Sequence, residues 1–133
     1  MTLTASLTDH DVAVSLLDRI VAAAEAGDPA DIYEIYAPDA VIWHNHDLKE
    51  SSVEQNARLL AAMDRWVADR RYTERRISTF PGGAVQQHVL RGTRRSTGEE
   101  VALHACVVIA VEDGRVTRLD EYIDSAEASR FAP

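Results

Sequence analysis

Cysteine is almost absent from this chain of 133 residues, which contains only Cys106. A single cysteine cannot form an intrachain disulfide, so the fold must be stabilised by the burial of apolar side chains, and an oxidising compartment is not indicated. Cys106 lies in the apolar run 105–109, where a thiol packs as a small hydrophobic group and is a poor nucleophile. With 46% hydrophobic residues the chain can form a sizeable core, and we expect one domain spanning residues 1–133.

Long apolar runs and excess positive charge are also missing. No stretch approaches the ~18 apolar residues of a membrane-spanning helix, and residues 1–6 lack the features of a signal peptide, which predicts a cytoplasmic protein with no membrane partner. Acidic residues outnumber basic ones by 22 to 14, and the net charge of −8 opposes general affinity for nucleic acid. Two arginine clusters, at 70–76 and 91–95, lack interleaved exposed aromatics, so we expect no nucleic-acid partner.

The motifs of several enzyme classes are absent as well. The chain has no glycine-rich phosphate loop and no Gly-x-Ser-x-Gly elbow, which argues against nucleotide-driven and serine-hydrolase chemistry. His44 and His46 have the alternate spacing with which two strand residues reach one metal ion, and Glu121 or His88 would be the third ligand. Nothing in the spacing determines how close that third ligand lies, so we predict neither a metal nor a cofactor.

The first part of the chain is predicted to be helical. Residues 8–11 resemble a capping box, and apolar residues then recur at helical spacing until Gly27 supplies a stop. Asp28 and Pro29 are typical of an N-cap and a first helical position, and they predict a short helix that closes before Pro38.

A third helix is predicted to begin near Ser51, with Glu54 completing a second capping box. Its apolar stripe is expected to cover a flat surface and consists of Leu59, Leu60, Met63, Trp66 and Val67. From Tyr72 onward, turn signals separate runs rich in β-branched and aromatic residues, which predicts four long antiparallel strands. A short final helix is expected near residues 126–131. Together these elements predict an α+β domain.

The most informative segment is 40–46, an apolar strand that ends in imidazole and amide groups. Because a strand alternates faces, Ile42, His44 and His46 are expected to point to one side. An apolar wall with titratable rings at its edge is the usual construction of a small ligand pocket.

Two later strands are expected to contribute polar groups to the same pocket. Glu121 shares a predominantly apolar face with Leu119, and a carboxylate in an apolar cavity is a candidate proton carrier. The structural alternative is that Glu121 pairs with Arg91 or Arg94. Gln86 and His88 share one face of an earlier strand, whereas His104 lies opposite a uniformly apolar face and is expected to be structural or interfacial.

With its elements in this order, the chain resembles the SnoaL-like branch of the NTF2-like superfamily, which includes ketosteroid isomerases, polyketide cyclases and scytalone dehydratases. The resemblance rests on AGD at 26–28, YAPDAV at 36–41, GRV at 114–116 and DEYID at 120–124. It implies a cone in which a strongly curved antiparallel sheet wraps around three N-terminal helices and encloses a hydrophobic cavity. The outer sheet face of this fold is often used for dimerisation.

The resemblance also bears on the chemistry. Lining up DAVI at 39–42 places His44 where ketosteroid isomerases have a catalytic aspartate. Ile20 falls at the position of their helical tyrosine, and Val107 lies near that of their oxyanion-binding acid, so steroid isomerisation of that type is not expected. Polyketide cyclases of this branch have acid and base groups on late strands, which Glu121, Gln86 and His88 match loosely.

The sequence therefore predicts a small homodimer with an internal pocket for an apolar metabolite and cofactor-free acid/base chemistry, such as isomerisation, cyclisation or dehydration. We predict His44, Glu121 and His88 as catalytic residues. The predicted ligand-binding residues are Ile42, His46, Leu59, Met63, Trp66, Gln86 and Leu119. The alternative is a non-catalytic ligand-binding or dimerisation module of the same fold. Dimerisation is expected through the outer sheet face, which carries Cys106, Val108 and Ala110 beside His104.

Overall fold

The computed structural model describes residues 8–133, and the N-terminal segment considered above for a signal peptide lies outside this range. The helices are α1 (Asp9–Ala26), α2 (Ile32–Ile35), α3 (Val53–Trp66) and α4 (Ser125–Ala128), which is followed by a 3-10 turn (Ser129–Phe131). The strands are β1 (Tyr36–His44), β2 (Lys49–Ser51), β3 (Val67–Phe80), β4 (Gly83–Arg94), β5 (Glu100–Glu112) and β6 (Arg115–Ile123). No helix among residues 8–133 is long and apolar enough to cross a membrane.

Both predicted ends of α1 are confirmed. The Thr8 hydroxyl accepts from the Asp11 amide at 3.1 Å, and the Asp11 carboxylate accepts from the Thr8 amide at 3.3 Å, which completes the capping box. The helix ends at Gly27, whose φ of 67° is left-handed. A Cβ there would also lie 2.8 Å from Asp64, so the stop depends on glycine for both its backbone angle and its close contact.

The predicted short helix after Gly27 is present as α2 and contains Ile32 and Ile35, but it begins later than predicted and excludes Tyr36. Asp28 accepts from the amide of Ala30 at 3.0 Å and so closes a turn, and α2 occupies only one helical turn. Tyr36 already belongs to β1, because it pairs with Val116 of β6, and Pro38 lies within that strand. The sheet pairing therefore outweighs the local helical signal.

The start of α3 was predicted one residue too early. Ser52 is the N-cap, and Gln55 rather than Glu54 completes the capping box, with its side chain 2.8 Å from the Ser52 amide. The predicted stripe extends one residue too far, since Val67 has strand angles (φ −131°, ψ 120°) and begins β3. The first long strand therefore starts at Val67 rather than near Tyr72.

The sheet has six strands in the order β2-β1-β6-β5-β4-β3. The four long strands predicted from the turn signals are β3 to β6, and their neighbours pair antiparallel as expected. The expectation of a fully antiparallel sheet is wrong at one place, because β1 pairs with β6 in parallel. This parallel register sets His44 beside Glu121 and Ile42 beside Leu119. The chain can form this parallel pair because α3 and four strands separate β1 from β6 in the sequence.

The curvature of the sheet has a visible cause in β3. Its pairing with β4 shifts register twice, between Ala68 and Arg71 and between Thr73 and Arg76. Asp69 and Glu74 lie at these two shifts with positive φ values of 53° and 54°. Such bulges bend a strand and increase its twist. The predicted fold class, an α+β fold with a curved sheet around helices, is confirmed.

The core divides into two clusters of buried apolar residues. The larger packs α1, α2 and α3 against β1, β5 and β6, and Leu17, Ile35 and Ile109 are among its most buried members. The smaller cluster includes Val67, Leu103 and, from the C-terminal segment, Phe131. The predicted final helix is present as α4 and the 3-10 turn, and it brings Phe131 onto this second cluster.

Candidate functional site

A cavity of about 240 Å³ lies between the inner face of the sheet and the helices. All of the catalytic and ligand-binding residues predicted from the sequence line it. Helix α1 adds apolar side chains to the wall, among them Leu17, Ile20 and Ala24, and Val107 adds another from β5. Ile20 and Val107 are the positions at which the resemblance predicted missing polar groups, and both present apolar surface to the cavity.

His44 and Glu121 form the central polar contact of this cavity. They lie opposite each other on β1 and β6, with His44 Nε2 3.3 Å from Glu121 Oε1 and side chains 13% and 23% exposed. Burial lowers the pKa of His44, but the hydrogen bond that it donates to Glu121 and the charges of Glu121 and Asp47 together outweigh burial and raise the pKa. The alternative that Glu121 pairs with an arginine is wrong, since Arg91 bonds Glu74 and Arg94 donates to the carbonyl of Pro133.

His46 lies at the mouth of the cavity, but not on a strand as predicted. Strand β1 ends at His44, because the side chain of Asn45 forms two hydrogen bonds with the backbone of Ile123 and the Leu48 amide bonds back to the carbonyl of His44. The ring of His46 meets that of His44 edge-on at 5.7 Å, and its side chain is 40% exposed. Among residues 8–133, no three His, Cys, Asp or Glu side chains are placed to share a metal ion.

Gln86 and His88 lie side by side on the inner face of β4, as predicted, and both are buried. Gln86 Nε2 is 2.9 Å from His88 Nδ1, and Gln86 Oε1 accepts a hydrogen bond of 2.9 Å from Arg75 Nε. Burial lowers the pKa of His88, and the positive charge of Arg75 adds to this, although Glu121 acts in the opposite direction. The two cavity histidines therefore have pKa values shifted in opposite directions.

Tyr36 and Tyr72 are candidate site residues that the sequence reasoning missed. Both line the cavity, and the ring of Tyr72 lies 4.8 Å from that of His88. Burial is the main cause that raises the pKa of both phenols, and the negative charge of Glu121 raises it further. Both groups therefore remain protonated hydrogen-bond donors at neutral pH. Tyr36 falls in the predicted short helix, and a register shift between Tyr36 and Val41 separates it from the regular alternation of β1. Tyr72 likewise lies between two bulges that interrupt the alternation of β3, so counting residues along either strand does not predict which face these tyrosines occupy.

Comparison with known proteins assigns this chain to one protein family. The SnoaL-like domain family matches residues 17–119, and the chain belongs to that family. A search of curated proteins finds no significant match.

Solved structures agree with this assignment at the level of the fold. A provisionally assigned polyketide cyclase from Xanthomonas campestris pv. campestris has a TM-score of 0.80 and 17% identity, covering 94% of this chain and 100% of its own. IdmH from Streptomyces antibioticus, also provisionally assigned as a polyketide cyclase, has a TM-score of 0.77 and 19% identity over 89% and 96% of the two chains. A Catenulispora acidiphila protein with a ketosteroid isomerase-like fold, solved with trimethylamine, has a TM-score of 0.75 and 14% identity over 89% and 93%. The predicted NTF2-like, SnoaL-like fold is thus confirmed.

Proposed function

We propose that this protein is a cofactor-independent acid/base enzyme that isomerises, cyclises or dehydrates a small apolar metabolite with a carbonyl or hydroxyl group. The observation that carries the proposal is the contact between His44 and Glu121 inside a cavity with predominantly apolar walls. An imidazole and a carboxylate held together away from bulk water can take up and return a proton near neutral pH. Membership of a family whose solved relatives include proteins assigned as cyclases supports the reaction class.

The opposite pKa shifts of the two histidines assign them different roles. Neutral His44 takes a proton from the substrate, and Glu121 stabilises the imidazolium that forms. His88 has a lowered pKa and is suited to donate a hydrogen bond while neutral. Together with the protonated phenols of Tyr36 and Tyr72, it would stabilise negative charge on a substrate oxygen. These groups would replace the oxyanion donors that the family resemblance placed at Ile20 and Val107.

Ligand binding in the cavity should be visible in tryptophan fluorescence. Trp66 lines the cavity, whereas Trp43 packs edge-on against Tyr122 at 5.3 Å on the opposite sheet face. In a Trp43→Phe variant, titration with small cyclic ketones and enones that bind is expected to change the remaining emission. The matched Trp66→Phe variant should bind the same compounds with little spectral change. Equal changes in both variants would place binding elsewhere and argue against the cavity as the site.

Turnover separates the proposed enzyme from the alternative, a non-catalytic ligand-binding module. The apolar wall of the cavity would serve either function, whereas the His44–Glu121 pair would transfer a proton only in an enzyme. A module that only binds would show the Trp66 response without converting any compound that occupies the cavity.

We also propose that the protein is a homodimer through the outer face of the sheet. Tyr122 on that face is 47% exposed beside Trp43, and Cys106 and Val108 flank it on β5. Light scattering at micromolar concentration should give the mass of two chains, and Tyr122→Lys should reduce it to one. Leu48→Lys, a control at an exposed apolar residue outside the strands, should leave the dimer intact. A monomeric wild type would exclude this interface.

A further inference from the structure

Four polar side chains form a chain from the surface to the cavity. Asp18 on α1 accepts a hydrogen bond of 2.7 Å from Arg75 Nη2, and Arg75 Nε donates to Gln86 Oε1 at 2.9 Å. Gln86 Nε2 then lies 2.9 Å from His88 Nδ1. Gln86 is 1% exposed and His88 is 5% exposed, so water does not compete freely for the contact between them. The order of the groups imposes a direction on every hydrogen bond.

The chemistry of arginine determines that direction. A guanidinium has donors only, so the group that Gln86 presents to Arg75 must be its carbonyl oxygen. The amide nitrogen of Gln86 therefore faces His88, and this nitrogen also acts only as a donor. His88 Nδ1 must then be an acceptor without a proton, and the ring proton must sit on Nε2. Among residues 8–133, the hydrogen bond of the His88 ring to another side chain is made at Nδ1 alone, and His88 lines the cavity.

We propose that Arg75 is a positioning residue that, through Gln86, holds His88 as the neutral tautomer with its proton on Nε2, directed at the substrate. Without Arg75, the Gln86 amide could turn and offer its oxygen to a protonated Nδ1. The cavity-facing nitrogen would then become an acceptor, or the ring would take a second proton under the influence of Glu121. Arg75 thus decides whether this edge of the cavity donates or accepts a hydrogen bond. The substrate contact rests on the proposed function, but the tautomer does not.

The tautomer can be measured without any substrate by ¹⁵N NMR of the histidine side chains. In the wild-type protein we expect His88 Nδ1 to show the shift of an unprotonated nitrogen and Nε2 that of a protonated one. Arg75→Met should abolish this fixed pattern, and Arg75→Lys, which again has donors only, should restore it in part. Arg76→Met, at the exposed neighbour paired with Gln87, is the matched control and should leave His88 unchanged.

A nearly isosteric variant tests the same logic in reverse. In Gln86→Glu, the carboxylate can accept hydrogen bonds from both Arg75 and His88 but can donate none. His88 Nδ1 should therefore gain a proton and become the donor. A wild-type His88 with its proton on Nδ1, or an Arg75→Met variant with an unchanged tautomer, would overturn the proposal.

Kinetics then separates positioning from structural support. Once a substrate is identified, Arg75→Met should lower kcat about 10-fold with little change in KM, because a hydrogen bond to the transition state is lost. Arg75→Lys should recover part of kcat in step with the tautomer. A loss of kcat with the tautomer intact would show that Arg75 acts only through the fold. Failure of the proposed function would instead appear as unchanged turnover in the His44 and Glu121 variants, whatever the state of His88.

Discussion

Glu121→Gln is expected to lower turnover about 100-fold or more while the fold and ligand affinity are retained. The amide matches the carboxylate in size, but it cannot stabilise a positive charge on His44 across the 3.3 Å contact. His44→Ala should cost at least as much, because it removes the group that takes the proton. Since the two side chains act as one unit, the turnover of the double variant should be only slightly lower than that of the less active single variant. Steady-state kinetics on a compound that perturbs Trp66 gives the measurement.

The pH dependence of turnover provides an independent check. Activity should fall as the pH drops through the pKa of His44, because an imidazolium cannot accept the proton. This pKa is raised, so in the wild type the fall should centre above ~6.5, the usual value for histidine. In Glu121→Gln the residual activity should extend to lower pH, since burial remains and the raising contact is lost. An inflection at the same pH in both proteins would contradict the pairing.

The chain offers a matched control for these variants. His104 and Glu127 form a second imidazole and carboxylate contact at 3.0 Å, outside the cavity and with the His104 side chain 66% exposed. Glu127→Gln should therefore leave kcat and its pH profile unchanged. Undiminished turnover in both His44→Ala and Glu121→Gln would refute the assignment of the proton-transfer residues.

The positions of His44 and Glu121 could be predicted because the segments that carry them are regular strands. Alternation alone puts His44 on the face of Ile42, and Glu121 on the face of Leu119. Their direct contact could not be predicted, because it depends on the parallel pairing of β1 with β6, two strands far apart in the sequence. A pairing with Arg91 or Arg94 was equally consistent with the residue types. Sequence patterns thus indicated the faces of the strands, and long-range pairing decided the partners.

Alternation fails where the backbone leaves the regular strand. The bulges at Asp69 and Glu74 shift the register of β3, so counting along the chain does not show that Tyr72 faces the cavity. Aspartate is enriched at positive φ, but neither residue type is a reliable marker of it. The same bulges bend the sheet that encloses the cavity. The two bulges, which could not be predicted from the sequence, therefore also shape the site.

The arginines at 70–76 show a third limit. Their sequence suggests a single patch of positive charge, yet the structure gives them separate tasks. Arg75 contacts Gln86 at the cavity, while Arg71 and Arg76 are exposed. Arg70 is 5% exposed and reaches back to the end of α1, which lies more than 40 residues earlier in the chain. A cluster of charges in the sequence does not show which of its members contacts a residue more than 40 positions away.

Arg70→Met is expected to lower the free energy of unfolding by about 3 kcal/mol and Tm by about 10 °C. The guanidinium donates to the carbonyls of Ala24 at 3.0 Å, Val67 at 2.7 Å and Glu25 at 3.3 Å. The last turn of α1 has no basic residue of its own, so Arg70 supplies the positive charge that its terminal carbonyls favour. Methionine fills part of the space, but it leaves these carbonyls without their donor. Chemical denaturation at a fixed protein concentration measures the loss.

Arg71→Met is the matched control, because Arg71 is the next residue in the chain and is exposed, with one side-chain hydrogen bond, to the carbonyl of Asp69 at 3.2 Å. Its effect on the free energy of unfolding should stay within about 0.5 kcal/mol. Similar losses in both variants would mean that general charge, rather than the contacts of Arg70, stabilises the protein. A loss confined to Arg70→Met would instead identify Arg70 as the link between α1 and the start of β3. That link also supports the site, because α1 forms one wall of the cavity and β3 carries Tyr72 and Arg75.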